Sequence, residues 1–170
     1  MQSAYDSRDA VIRAIEAAFD GVSRHGGVSL HEADVIDNYG TPAEREDARA
    51  LDTETRWQDV AAGDIRKYYW ILPFLDPIGY RYYLPAYMSW SLRNHAGPRD
   101  ATSAEFTVFS LVKSEAKREE WELDRFKMFN VQQARAIRRF LEYMAEHAGL
   151  EKDAGEALAR YWEKFGDASE

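Results

Sequence analysis

The chain has 170 residues, no cysteine, 30 acids against 22 lysines and arginines, and a formal net charge of −8. This length predicts one globular domain over 1–170, with ragged ends at about 1–6 and 167–170 and a core large enough to need no covalent staples. The missing cysteines exclude disulfides, thiolate zinc sites, iron–sulfur clusters and cysteine nucleophiles, and the acidity argues against a nucleic-acid partner, whose phosphates the field would repel.

The first ten residues, MQSAYDSRDA, carry charge before any apolar run, which does not fit a secretory leader. No apolar run approaches the ~20 residues that span a bilayer. The expectation is a cytoplasmic protein with no membrane partner. Charge is uneven: residues 1–60 hold thirteen acids against six arginines, so −7 of the −8 falls there.

In chain order, Ile12, Ile15, Phe19 and Val22 recur at helical spacing and predict a helix from about Ser7 to Phe19, with Gly21 and Gly26-Gly27 marking its exit. Ser29-Leu30-His31-Glu32 has the form of a capping box and opens a second helix, ending near Tyr39-Gly40. Thr41-Pro42-Ala43-Glu44 is another such box, with proline at the first helical position, where its missing N–H costs nothing. Asp52 is placed to cap a further helix carrying Trp57 and Val60. Residues 64–72 fit a short helix followed by a strand. Asp76-Pro77-Ile78-Gly79 suits a type I turn with a positive φ at the glycine. A strand at about 71–75 therefore pairs with one at about 80–84, and Pro85 starts a helix to about Asn94. After a loop over 95–100 the chain reads as helical from Ser103. Asn130 with Gln133 caps a long helix with Ala134, Ile137, Leu141 and Met144 on one side, and Gly149 ends it. A last helix begins near Asp153. The expected fold class is mainly α, of α+β type: a compact helical domain with one short β-hairpin packed on helices.

Nine aromatic rings fall between Tyr68 and Trp90, six of them tyrosines. Buried tyrosine hydroxyls need partners, so rings with wet edges are expected. On the expected second strand Tyr80, Tyr82 and Leu84 share one face, and Arg81 and Tyr83 the other. One use of these rings is to clamp the ribbon onto the helices. The other is a ligand wall.

The order GGVSLHEADVID (26–37), ARALD (48–52), TRWQDV (55–60), FLDPIGYRYYLPAYM (74–88) and NVQQARAIRRFLEYM (130–144) resembles an uncharacterised family of bacterial proteins, a domain of unknown function. The likeness covers roughly residues 10–165, and YLPAYM at 83–88 is its most specific part. It implies a bacterial, compact, single-domain protein. It brings no catalytic or binding residue with it.

Catalytic templates fail one by one. His31, Asp34 and Asn38 share one side of the second helix, but HEADVID lacks the second histidine of a zinc-binding HExxH, so no metal is assigned. GxSxG, GxxxxGK[ST] and GxGxxG are absent, so neither a serine nucleophile nor a phosphate loop is indicated, and no catalytic residue or cofactor is assigned. The KSEAKREEWELDRFK stretch (113–127) mixes five acids with five bases around one tryptophan, the pattern of an exposed helix.

Two functions stay open. The first is a non-catalytic protein-binding domain, in the style of a bacterial immunity or inhibitor protein, whose acidic surface engages a basic partner. Asp34, Asp37, Glu46, Asp47, Glu54, Asp59 and Tyr83 are its candidate contacts. The second is a small-molecule enzyme or sensor with a pocket under the hairpin, lined by Tyr80, Tyr82, Tyr83 and Tyr87, with Arg81 holding an anionic group.

Overall fold

Side-chain caps set several of the helix starts. In the computed structural model, which describes residues 7–115 and 119–166, Ser7 accepts from the Ala10 N–H at 3.2 Å and opens α1, Arg8–Ala18. Helix α2 (Leu30–Asp37) has Glu32 reaching back to the Ser29 N–H at 3.2 Å, and α3 (Pro42–Arg49) has Glu44 doing the same to Thr41 at 2.7 Å. A 3₁₀ turn at Trp57–Asp59, α4 (Ala62–Lys67) and a second 3₁₀ turn at Leu72–Phe74 lead into α5, Pro77–Asn94. Then come α6 (Ala101–Phe109), α7 (Glu119–Phe126), α8 (Val131–His147, capped by Asn130 with Gln133) and α9 (Glu151–Ala157). Beyond α9 the chain widens into a π turn over Leu158–Trp162 and tightens again at Glu163–Phe165. The ragged ends expected at about 1–6 and 167–170 lie outside the described residues.

The mainly helical expectation holds, but no strand exists among the described residues, so the β-hairpin is absent. The 18-residue α5 stands in its place. The misreading has a physical source. An aspartate followed by proline opens a type I turn and caps a helix equally well, because the first turn of an α-helix has nearly type I geometry. Here Asp76 accepts from the Gly79 N–H at 2.8 Å and from the Val28 N–H at 2.8 Å, fixing the α5 start to the 26–29 loop. Gly79 supplies room, not a positive φ. A Cβ there would press onto the Val28 carbonyl oxygen and stand 2.9 Å from Asp76 Oδ1. Pro85 starts nothing either. It lies inside α5, where its missing N–H leaves the Arg81 carbonyl without its helical partner.

Helix α5 is the axis of the fold. It packs against α1, α4, α6, α7 and α8, and residues 79–80, 82–89 and 91–92 are all buried. A helix enclosed on every side shows no polar stripe. The alternation of Tyr80, Tyr82 and Leu84 then mimics a strand. The core spans the chain from Val11 in α1 to Trp162 in the π turn. Its indole donors are satisfied: Trp57 Nε1 donates to the Phe19 carbonyl at 3.0 Å, and Trp162 Nε1 to the Leu111 carbonyl at 2.8 Å. Helices α2 and α3 pack on each other as a two-helix layer beside the start of α5. Among the described residues, no helix is long and apolar enough to cross a membrane.

Candidate functional site

Of the nine rings, Tyr68 and the four α5 tyrosines are core, Tyr69, Trp70 and Trp90 are part-buried, and Phe74 is exposed. Tyr80, Tyr82, Tyr83 and Tyr87 are each 0% exposed, and the strand faces assigned to them do not exist. Their hydroxyls find partners inside. Tyr80 donates to the Ser110 carbonyl at 3.1 Å, Tyr87 to the Tyr68 carbonyl at 2.8 Å, and Tyr82 makes a longer contact of 3.4 Å to the Glu54 carbonyl. Burial pushes Tyr80 and Tyr82 up to about 12, and pushes Tyr83 and Tyr87 up as well. A filled core leaves these four rings no face to offer a ligand. Arg81 is only part-buried, with its Nε unpartnered.

Tyr83 belongs to a polar network that holds the α2–α3 layer. Its hydroxyl donates to Glu54 Oε1 at 2.8 Å and accepts from Arg24 Nη1 at 2.7 Å. Arg24 Nη2 donates to the Asp52 carbonyl at 3.0 Å. Asp52, expected to cap a helix of its own, instead accepts from the His31 N–H at 2.9 Å and meets His31 Nδ1 at 2.7 Å. A carboxylate orienting an imidazole is how a general base is held. The other ring nitrogen, however, stands 4.0 Å from Asp64, and among the described residues no hydroxyl bonds to it. The two contacts tie the Asp52 loop to the first turn of α2. Among the described residues, no three histidine, aspartate or glutamate side chains are grouped to hold a metal ion.

The same network settles which charges face outward. Buried Glu32 takes Arg45 at 3.1 Å and Arg49 at 2.8 Å, and Arg49 also donates to the Gly27 and His25 carbonyls. Arg24 lies 3.5 Å from Glu54. Arg24, Arg45 and Arg49 are thus engaged by partners within the protein, Arg45 while still 42% exposed. Of the predicted contact residues, Glu54 is part-buried in this network and Tyr83 is wholly inside it. Asp59 is exposed, 4.0 Å from Arg56. Glu46 and Asp47 are exposed on α3, and Asp34 and Asp37 are part-exposed on α2. Among the described residues, no cation pairs with Asp37, Glu46 or Asp47 at ion-pair distance. Asp34 takes a hydrogen bond from Asn38 and lies near enough to Lys67 to help raise its pKa.

A residue absent from the sequence-based set stands out at the corner between the two helices. Tyr39 is 95% exposed and has φ 57. The turn is a Schellman cap: the Gly40 N–H reaches the Val35 carbonyl at 2.8 Å and the Tyr39 N–H reaches the Ile36 carbonyl at 3.1 Å. Glycine normally fills the left-handed position, since it lacks the Cβ that makes that conformation costly. Here the glycine comes one residue later, and a tyrosine carries the strain with its ring in water. The Tyr-Gly order after a helix was the visible signal. It reads as a simple helix end until the φ angle is known.

Arranged this way, the α2–α3 layer offers an exposed aromatic ring at its corner and uncompensated carboxylates on both helices. No curated protein and no solved structure matches the chain. The model of a family of unknown function, DUF6714, matches residues 7–165, and the chain belongs to that family.

Proposed function

We propose that this member of a family of unknown function is a non-catalytic protein-binding domain whose α2–α3 layer engages a basic protein partner. The observation that carries the reading is Tyr39. A large ring held in water at a strained position loses stability for the isolated chain, and such outliers mark sites where something outside the fold compensates. Exposed tyrosines are frequent anchors of protein interfaces. Asp34, Asp37, Glu46 and Asp47 add negative charge on the two helices that Tyr39 joins, which draws a cationic surface in from a distance. The reading extends to a bacterial, cytoplasmic setting and to an immunity or inhibitor role against a basic effector.

The experiment is affinity capture from the lysate of the native host, with each captured protein identified. The wild type should retain a basic protein that elutes as salt is raised. Tyr39→Gly, and separately the combined reversal of Asp34, Asp37, Glu46 and Asp47 to lysine, should lose it. The same retained proteins on all three baits would overturn the proposal.

A further inference from the structure

Four charged side chains are buried among the described residues: Glu32, Asp52, Asp100 and Arg125. Three are matched. Glu32 meets two arginines, Asp52 meets His31, and Asp100 takes Arg66 at 2.8 Å. Arg125, the most enclosed at 2% exposure, has no carboxylate within ion-pair distance among the described residues. It makes one hydrogen bond, Nη1 to the Leu72 carbonyl at 3.3 Å, and its Nε has no partner. Two rings flank its guanidinium, Trp121 at 4.0 Å and Tyr80 at 4.7 Å. Ring faces attract a cation, but they do not replace the hydrogen bonds that a buried charge gives up on leaving water. Nε atoms without a partner also occur on Arg81, Arg135 and Arg138, but those side chains are only part-buried.

Arg125 lines a cavity of about 460 Å³ between α6, α7 and α9, within the ordinary size range of small-ligand sites. Ser114 lines it too, and its hydroxyl is likewise buried without a partner. Phe109 (62% exposed) and Trp121 (43% exposed) supply apolar surface to the same cavity. We propose that this cavity binds a small organic monocarboxylate with a flat apolar body, the carboxylate meeting Arg125 and Ser114 and the body lying against Trp121 and Phe109.

The lining decides between anions. A guanidinium presents a planar fork that a carboxylate matches with two parallel hydrogen bonds. Arg160, set in the π turn, is already paired with Glu156 and donates to the Lys113 carbonyl at 2.9 Å, so it adds no free positive charge. Glu122, whose Oε2 accepts from the Ser114 N–H at 2.7 Å and whose charge favours the Arg125 cation without reaching ion-pair distance, also lines the cavity with Asp153, and both would repel a second negative charge on the ligand. One guanidinium with no ion pair and a free Nε, set among carboxylates, therefore selects a single charge and disfavours a phosphate ester.

The test is an NMR titration of the full chain with phenylacetate, and in parallel with phenyl phosphate, following the Trp121 indole N–H. Phenylacetate should give saturable shifts with a dissociation constant on the order of 1 mM or tighter, and phenyl phosphate should bind at least about tenfold more weakly. Arg125→Met keeps the bulk and removes the unmatched charge, a change that tends to leave stability intact or raise it. It should melt no earlier than the wild type without ligand, and should bind phenylacetate at least about tenfold more weakly. If that variant does not fold, Arg125→Lys, which keeps the charge and loses the fork, should show the same loss of affinity, read by ligand-observed saturation transfer, as should Trp121→Ala. The absence of saturable shifts with phenylacetate, wild-type affinity in the folded variants, or a preference for phenyl phosphate would overturn the proposal.

Discussion

A tyrosine in the left-handed position of a helix C-terminus gives up about 1 kcal/mol relative to glycine. Tyr39 gives it up with no burial in return. Tyr39→Gly should therefore raise the stability of the isolated protein by about 1 kcal/mol in urea unfolding, while weakening partner binding by at least about tenfold. A variant both less stable and fully active in binding would remove Tyr39 from the account. Asp100 tests another single-residue claim. The Arg66 guanidinium, hydrogen-bonded to it at 2.8 and 3.2 Å, holds its carboxyl below the usual carboxylate range. A folded-state pKa below the unfolded one gives stability that is present above about pH 4 and is lost as pH falls through the folded value. Asp100→Asn should accordingly flatten the fall in urea midpoint between about pH 5 and pH 2. An unchanged slope would mean that the pair contributes nothing. Residues like these were poorly legible in the chain. Helical spacing sets His31 beside Asp34, whereas its partner Asp52 comes from a distant loop. Trp121 and Arg125 sit four apart on α7, a spacing that brings a cation over a ring, yet the many charges around them read as an exposed helix.

At the level of elements, the caps were readable because each one is local. Thr41 and Asn130 satisfy amides within three residues, and the sequence contains both partners. Helix α5 was not readable. Its start satisfies the rules for a turn, its interior holds a proline, and its enclosure by five other helices erases the period that would betray it. That enclosure has a measurable consequence. The four α5 tyrosines are pushed up by burial, so above about pH 10 the unfolded chain releases protons that the folded chain retains. The sign follows: stability falls as pH rises from the unfolded pKa toward the folded one. Absorbance-monitored alkaline titration should show a late tyrosine step coinciding with loss of helical circular dichroism. Complete ionisation with the helix signal intact would contradict the packing of α5.

For the whole molecule, the informative quantity is where the charge points, and the sequence showed only half of that. It located −7 of the −8 in the first 60 residues. It could not show that Glu54, Glu32 and the 23–27 loop engage Arg24, Arg45 and Arg49, while Asp37, Glu46 and Asp47 have no cation at ion-pair distance among the described residues. Nor could it place the unmatched Arg125 on a cavity formed from three separate helices. A steering field has a location, so total charge and patch charge must be separated. Reversal of Asp34, Asp37, Glu46 and Asp47 to lysine brings the formal net charge from −8 to zero, and so does reversal of the exposed Glu105, Glu120, Asp124 and Glu151.

The decisive measurement is the association rate of each form with the captured basic partner by stopped flow, at low and at physiological salt. The wild type should associate fast and slow down steeply as salt is added, and the α2–α3 reversal should associate at least about tenfold more slowly with little salt dependence. The control reversal should stay within about threefold of the wild type. Equal rates for wild type and the α2–α3 reversal, or equal slowing in both reversals, would contradict the claim that this acidic layer steers the protein onto its partner.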